Sequence, residues 1–248
     1  MPRRFFEWTR HLARRLPVVT PSSCALCGVS GDANLCGGCH AQFFGRHPHR
    51  CTQCALPLAY STGSPTQRCG ECVKAPPRFD ATIVAADYVA PIDHLVLALK
   101  FGNRLALAPL FGHMLRDAIL REPAFALPTL LTAVPLSGKR LAERGFNQAL
   151  EIAKPLAQAI AVPLVPQLIE RTRDTMMQAQ LPIGERHKNI RNAFVVAGGF
   201  ADRVRGQHIG LVDDVLTTGG TANEVAATLK RHGAARVTNL VFARTLPK

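Results

Sequence analysis

Ile209-Gly-Leu-Val-Asp-Asp-Val-Leu-Thr-Thr-Gly-Gly-Thr221 decides the fold of this 248-residue chain. Its apolar start has the pattern of a buried parallel strand. The strand runs into two adjacent carboxylates, Asp213 and Asp214, and then into a loop of Thr217, Thr218, Gly219, Gly220 and Thr221. Helix formers follow from Ala222 to Arg231, with Val225, Ala226 and Leu229 on one face, which predicts a helix beginning near Thr221. Backbone N–H groups at such a helix start, with the threonine hydroxyls, can cradle a phosphate. Two carboxylates beside that cradle repel an anion unless the ligand also offers hydroxyls or brings a metal. A 5-phosphorylated ribose offers both. The plainer alternative is a strand-to-helix turn whose glycines only relieve strain. The order of strand, acid pair, hydroxylated loop and helix favours the phosphate site. No Lys follows the glycines, as it would in a Walker A loop. The acids precede the loop, and the glycine spacing is wrong for a dinucleotide fingerprint.

The length suits one large domain plus a small one. Apolar residues make up 47%, enough for a core, and 30 basic against 17 acidic side chains give a net charge of +13. That surplus suits phosphate-bearing ligands, whether a nucleotide, a sugar phosphate or DNA. No secretory signal is visible, and no apolar run is long enough for a membrane span. Phe5, Trp8, Leu12 and Leu16 could line one face of a short basic helix, either docked on the domain or touching a nucleic acid or membrane surface.

All eight cysteines precede residue 73, as Cys24-x-x-Cys27, Cys36-x-x-Cys39, Cys51-x-x-Cys54 and Cys69-x-x-Cys72. A C-x-x-C turn presents two thiolates to one tetrahedral metal, and two such turns complete a four-cysteine zinc site. The segment has little with which to build a core, so metal would supply its folding energy. Disulfides are the alternative, disfavoured in a reducing compartment. Sequential pairing gives two ribbons in tandem and cross-bracing joins the first pair to the third; the short closing loops favour the sequential form. His40, His47 and His49 read as surface or second-layer residues, since four cysteines already complete each site. Up to residue 78 there are ten basic and three acidic residues. Each zinc with four thiolates carries about −2, which offsets most of that surplus. Neither half of the chain is polarised enough to establish nucleic-acid binding.

Val73-Lys-Ala-Pro-Pro-Arg-Phe79 reads as a linker. Beyond it, Ala81 to Val89 predicts a strand and residues 91–121 a helical stretch. From Leu127 the pattern alternates strand and helix, an α/β sheet. Leu130-Leu-Thr-Ala-Val-Pro135 reads as a buried strand entering the small, basic turn Ser137, Gly138, Lys139, Arg140, then a helix that contains Glu143 to Gln148. Such a turn suits an anion, although a solvated helix start is commoner. Leu164 to Glu170, Phe194 to Val196 and Val237 to Ala243 read as further strands. The polar stretch from Arg171 to Arg191 is long enough for a lid over a ligand.

Taken together, the four C-x-x-C pairs, Val134-Pro135-Leu136, Glu143-Arg-Gly-Phe-Asn-Gln-Ala149, Arg171-Thr-Arg-Asp-Thr-Met-Met-Gln178 and Leu211 to Thr221 resemble the ComF family over roughly residues 20–245. The run around Asp213 and Asp214 is similar to the signature of type I phosphoribosyltransferases. The resemblance implies a double zinc-ribbon segment at 20–75 and a type I phosphoribosyltransferase domain at 79–248, with a parallel sheet flanked by helices. It implies two structural Zn²⁺, 5-phosphoribosyl-1-pyrophosphate (PRPP) with Mg²⁺, and an unidentified acceptor. Asp213 and Asp214 would take the ribose hydroxyls, and Thr217, Thr218, Gly219, Gly220 and Thr221 the 5-phosphate. Ser137, Gly138, Lys139 and Arg140 would receive pyrophosphate. Arg171, Arg173, Thr175 and Gln178 would close over the reacting centre. It also implies a cytoplasmic protein serving natural transformation, with single-stranded DNA and DNA-uptake proteins as partners. Two rivals remain open: a PRPP sensor without turnover, and a DNA-binding module with a vestigial pocket. Residues 80–105, where an acceptor hood would lie, carry no recognisable base-reading pattern.

Overall fold

Strands β3 (Ala81–Asp87), β4 (Leu130–Ala133), β7 (His208–Leu216) and β8 (Arg236–Arg244) form one parallel sheet in the order β3-β8-β7-β4. The computed structural model describes residues 22–59, 67–122, 125–172 and 192–247. β7 and β8 are buried almost throughout, as continuous apolar runs in a sheet covered on both faces must be. The strands expected from Ala81, Leu130, Phe194, Ile209 and Val237 and the helix after the acid pair are present. The helix that begins at Gly220 runs to Arg231 and is α8 below.

Alternation along β7 decides what each face carries. Ile209 and Leu211 belong to one core with α8, whereas Val212 belongs to the other, with α3 (Ile92–Phe101), α4 (Leu107–Leu120) and α6 (Gln148–Ala159). The helical stretch read as 91–121 is two helices. Gly102 ends the first, and Asn103 takes a left-handed φ of 49°, a conformation asparagine tolerates better than most residues. α4 and α6 approach closely because residue 112 is glycine: a Cβ there would stand 2.9 Å from Pro155 Cγ and 3.0 Å from the Leu156 nitrogen.

The helix expected across Glu143 to Gln148 is also broken. α5 (Gly138–Arg144) is capped by Gly145 in the left-handed region, at φ 75°, and α6 restarts after Asn147. The strand expected over Leu164 to Glu170 is shorter. Leu164 only bridges Leu131, and β5 (Ile169–Arg171) pairs antiparallel with β6 (Phe194–Val196). α7 (Ala201–Val204) leads into β7.

The N-terminal segment contains β1 (Ser22–Ser23), β2 (Ser30–Gly31), α1 (Gly37–Phe44) and α2 (Gly70–Lys74). Its two ribbons join opposite faces of the sheet. Cys24, Leu35, Cys39 and Phe44 share a core with Phe111 and Phe242, while Cys51, Cys54, Ala55 and Cys72 share the other with Phe79 and Val84. The second ribbon also closes the edge of β3: Thr82 N donates to the Thr52 carbonyl at 3.1 Å, and Thr82 Oγ1 to the Gln53 carbonyl at 2.6 Å. The linker is packed rather than free. α2 reaches Lys74, Phe79 is buried, and Gln53 Nε2 donates to the carbonyls of Pro77 and Phe79. The N-terminal amphipathic stretch lies outside the described residues.

Candidate functional site

β4 and β7 pair in parallel, with Leu130 opposite Ile209 and Ala133 opposite Val212, so their C-terminal ends open at the same edge. Val134 N continues the ladder to the Val212 carbonyl at 2.9 Å. The acid pair and the Ser137–Arg140 turn are therefore neighbours, the crevice where α/β sheets bind ligands.

Adjacent residues of a strand face opposite ways. Asp214 points to the side of α3 and α6 and is buried; Asp213 is half-buried, and its Oδ1 accepts the Asp214 N–H at 2.8 Å. Burial, then the neighbouring Asp214 carboxylate, pushes the Asp213 carboxyl up to about 8, against the pull of Lys100. Such a shift in a crevice is a mark of a working site. The loop follows directly. Thr217 and Thr218 are exposed, and Gly219 takes φ 79°, a left-handed turn that glycine supplies without strain, at the N-cap of α8.

Across the crevice, Ser137 is buried, and its hydroxyl accepts from Arg140 N at 3.4 Å as the cap of α5. Gly138 and Lys139 are exposed and Arg140 half-buried. Asn147 anchors this turn: its Nδ2 donates to the Val134 carbonyl at 3.0 Å, and its Oδ1 accepts from Ala149 N at 3.0 Å. Arg171 ends β5 with its guanidinium 5.5 Å from the Phe194 ring centroid, at the root of the expected lid. Arg173, Thr175 and Gln178 lie outside the described residues.

Four residues of the site escaped the sequence reading. Lys100 Nζ stands 2.9 Å from Asp214 Oδ2. The guanidinium of Arg144 lies 5.0 Å from the ring centroid of Phe101 and donates to Gln148 Oε1 at 3.0 Å. Burial lowers the pKa of Arg144 while Asp214 works against that, which sets this cation beside the acids. Gln148 is buried, and its Nε2 finds no partner among the described residues. The sequence held two signals: Arg144 and Gln148 lie in the Glu143–Ala149 motif, which by itself assigns them no site role, and Lys100-Phe101 ends an apolar helix. A lysine there reads first as a helix-end charge.

The eight cysteines gather as two sets, Cys24, Cys27, Cys36 and Cys39, and Cys51, Cys54, Cys69 and Cys72, each with all sulfurs within 4.8 Å of one another. Pairing is thus sequential. Four thiolates about 2.3 Å from a tetrahedral ion sit about 3.8 Å apart. Cys27 and Cys36 Sγ are 3.7 Å apart, and Cys54 and Cys69 Sγ 3.6 Å, so both sets fit structural zinc.

Residues 16–73 match the double zinc ribbon domain, and residues 147–246 match the phosphoribosyl transferase domain. DNA utilization protein YhgH of Salmonella typhimurium is 34% identical over 235 residues, spanning 92% of this chain and all of that one. Competence protein F of Haemophilus influenzae is 32% identical over 207 residues, 82% of this chain and 87% of that one. The structure of the allosteric regulatory enzyme of purine biosynthesis aligns loosely, with a TM-score of 0.37 and 20% identity over 55% of this chain and 25% of that one. Among the described residues, no helix is long and apolar enough to cross a membrane.

Proposed function

The chain belongs to the ComF family, and from that premise we propose that it binds PRPP at the Asp213–Thr221 site and serves the handling of DNA in the cell. The observation that carries the proposal is the parallel register of β4 and β7. It leaves an acid pair with a Thr-Gly loop and a basic turn at one edge, as a ligand with a phosphate, two hydroxyls and a pyrophosphate requires. The names of the relatives, a DNA utilization protein and a competence protein, support the cellular role.

In this reading Asp213 and Asp214 orient the ribose hydroxyls, and the backbone from Thr217 to Thr221 receives the 5-phosphate. Breaking the C1–pyrophosphate bond leaves positive charge on the ribosyl centre and negative charge on the leaving group. The work of the site is therefore orientation and charge stabilisation. Lys139 and Arg140 face the leaving group, with Lys100 and Arg144 beside the acids. Arg171, Arg173, Thr175 and Gln178 would close over the centre and exclude water, the last three lying outside the described residues. Asp213 and Asp214 would hold Mg²⁺ with PRPP; the fit lies in their mutual repulsion, which a divalent cation relieves. The ion would neutralise pyrophosphate charge. Reduced thiolates suit a cytoplasmic setting.

Calorimetric titration of PRPP with Mg²⁺ into the chain and into Asp213→Ala/Asp214→Ala tests this. Affinity should fall tenfold or more, since hydrogen bonds to charged groups contribute about 1.5–3 kcal/mol each. Equal affinity overturns the site. Pyrophosphate release from PRPP with trial acceptors separates an enzyme from a sensor. The net charge of +13 favours single-stranded DNA as a second partner. Binding through phosphates must weaken steeply with salt.

A further inference from the structure

We infer that Arg244 is a positioning residue that couples the second four-cysteine cluster to the 5-phosphate loop, so that metal at the one and phosphate at the other strengthen each other. This rests on the PRPP reading and adds a link between two sites that the reading leaves separate.

Arg244 is the last residue of β8 and is buried, at 6% exposure. A guanidinium taken out of water must spend its donors on partners, and this one does so in two directions. Nε donates to the carbonyl of Cys54 at 2.9 Å, inside the second cluster's ribbon. Nη1 donates to the carbonyls of Leu216 at 2.9 Å and of Thr217, where β7 gives way to the phosphate loop. The same nitrogen reaches the Thr245 carbonyl at 2.9 Å, and Thr245 N in turn donates to the Leu216 carbonyl at 3.1 Å.

What these bonds do to the loop follows from the planar trans peptide, whose C=O and N–H point in opposite directions. A Leu216 carbonyl fixed on Arg244 aims the N–H of Thr217 the other way. The Thr217 carbonyl does the same for Thr218. Those N–H groups open the cradle that receives the phosphate, so Arg244 sets their direction before the ligand arrives. Its planar fork is suited to this; a lysine ammonium is a single point.

The other direction ends at the metal. Cys54 Sγ lies 3.6 Å from Cys69 Sγ, and Ala55, which follows, is held at φ 58°, with its N–H on the Cys51 carbonyl at 2.8 Å. A left-handed alanine persists only where its surroundings impose it. Metal binding at Cys51, Cys54, Cys69 and Cys72 imposes the knuckle, and the knuckle aims the Cys54 carbonyl at Arg244. Coupling of this kind is reciprocal. The first ribbon supplies an internal control, for it joins the other core: Asn34 Nδ2 donates to the Ala106 carbonyl at 3.0 Å, at the start of α4, and Phe44 packs on Phe242 of β8 in the core that excludes Cys51, Cys54 and Cys72.

The test uses the zinc-loaded full chain. Calorimetry first establishes PRPP binding; then N-ethylmaleimide labelling of each cysteine is followed peptide by peptide, with and without PRPP and Mg²⁺. Labelling of Cys51, Cys54, Cys69 and Cys72 should slow about fivefold or more, a typical coupling, while Cys24, Cys27, Cys36 and Cys39 keep their rates. Arg244→Lys, with its zinc content unchanged, should bind PRPP more weakly and lose the selective slowing. Equal slowing of both clusters is global stabilisation and overturns the inference, as does PRPP binding with no slowing. Should Arg244→Lys not fold, the unaltered chain decides alone. No PRPP binding by the unaltered chain overturns the PRPP reading itself, and this inference with it.

Discussion

Lys100 holds its ammonium nitrogen 2.9 Å from Oδ2 of Asp214, a pair only 19% and 10% exposed. The last turn of α3 thereby delivers a cation to the end of β7, far from the acid along the chain but adjacent to it in space. The pair sets a positive charge against the acids, opposing the burial and the Asp214 charge that push Asp213 toward its neutral form.

Lys100→Met removes that cation and leaves Asp214 buried without its partner. Asp213 should then titrate higher still, because Lys100 is the larger of the two influences that lower it, the other being the Asp214 N–H. The fold should lose about 1–3 kcal/mol, the cost of leaving a hydrogen-bonded group unsatisfied. Carboxyl NMR titration and thermal melting of both chains check this. An Asp213 titration that does not move would mean that the ammonium does not act on the acids.

A raised carboxyl also fixes a pH dependence. The folded value of about 8 lies above the ordinary 3.8, so the folded chain holds a proton that the unfolded chain has released. Stability is therefore fully present below the unfolded value and declines as pH rises through that window, with Asp213→Asn removing the decline. At pH 8 the asparagine variant should melt higher than the unaltered chain, and at pH 4 the two should match. PRPP affinity should run the other way, rising from pH 7 to about 8.5 in the unaltered chain and staying flatter in the variant. Parallel melting curves across the range would refute the assignment.

Each chain should carry two zinc ions, one for each cysteine set. Because Cys24 and Cys39 sit in one core and Cys51, Cys54 and Cys72 in the other, removing metal should loosen both faces of the sheet. Elemental analysis after purification without added zinc, followed by melting with a chelator, measures both effects. One zinc per chain, or a melting curve untouched by the chelator, would count against this.

Phe44 seats the first ribbon on the domain. It is 4% exposed, with its ring centroid 6.4 Å from that of Phe242, which itself stacks 3.5 Å from Phe111. Phe44→Ala should cost about 3–5 kcal/mol in denaturant unfolding and leave zinc content unchanged. A cost below 1 kcal/mol, the level of an exposed site, would show that the ribbon and domain are not one cooperative unit.

The parts of the site that lie within one stretch of chain could be read directly. Asp213 to Thr221 and the C-x-x-C pairs announce themselves because strand, loop and ligand spacing are local properties. Lys100, Arg144 and Arg244 could not be found that way, since each works on a group brought near only by the sheet order or the helix packing. The misread helices have local causes. Asn103 and Gly145 each take a left-handed φ, which splits the 91–121 stretch and the helix expected across Glu143–Gln148 into two helices each. The short β5 is different: of the run from Leu164 to Glu170, Leu164 only bridges Leu131, and Ile169 and Glu170 alone enter a ladder, with β6.

The hydrogen bond from Thr82 to the Thr52 carbonyl has a last consequence. β3 is an end strand of the sheet, with β8 on one side and the second ribbon on the other. A bare end strand is a template for further strands, and Ala81-Thr-Ile-Val-Ala-Ala-Asp87 is short of charge and rich in strand formers. Demetallated chains would expose that rim to one another and stick together. Zinc at the second cluster is thus a guard against aggregation, and the first sign of its loss should be turbidity.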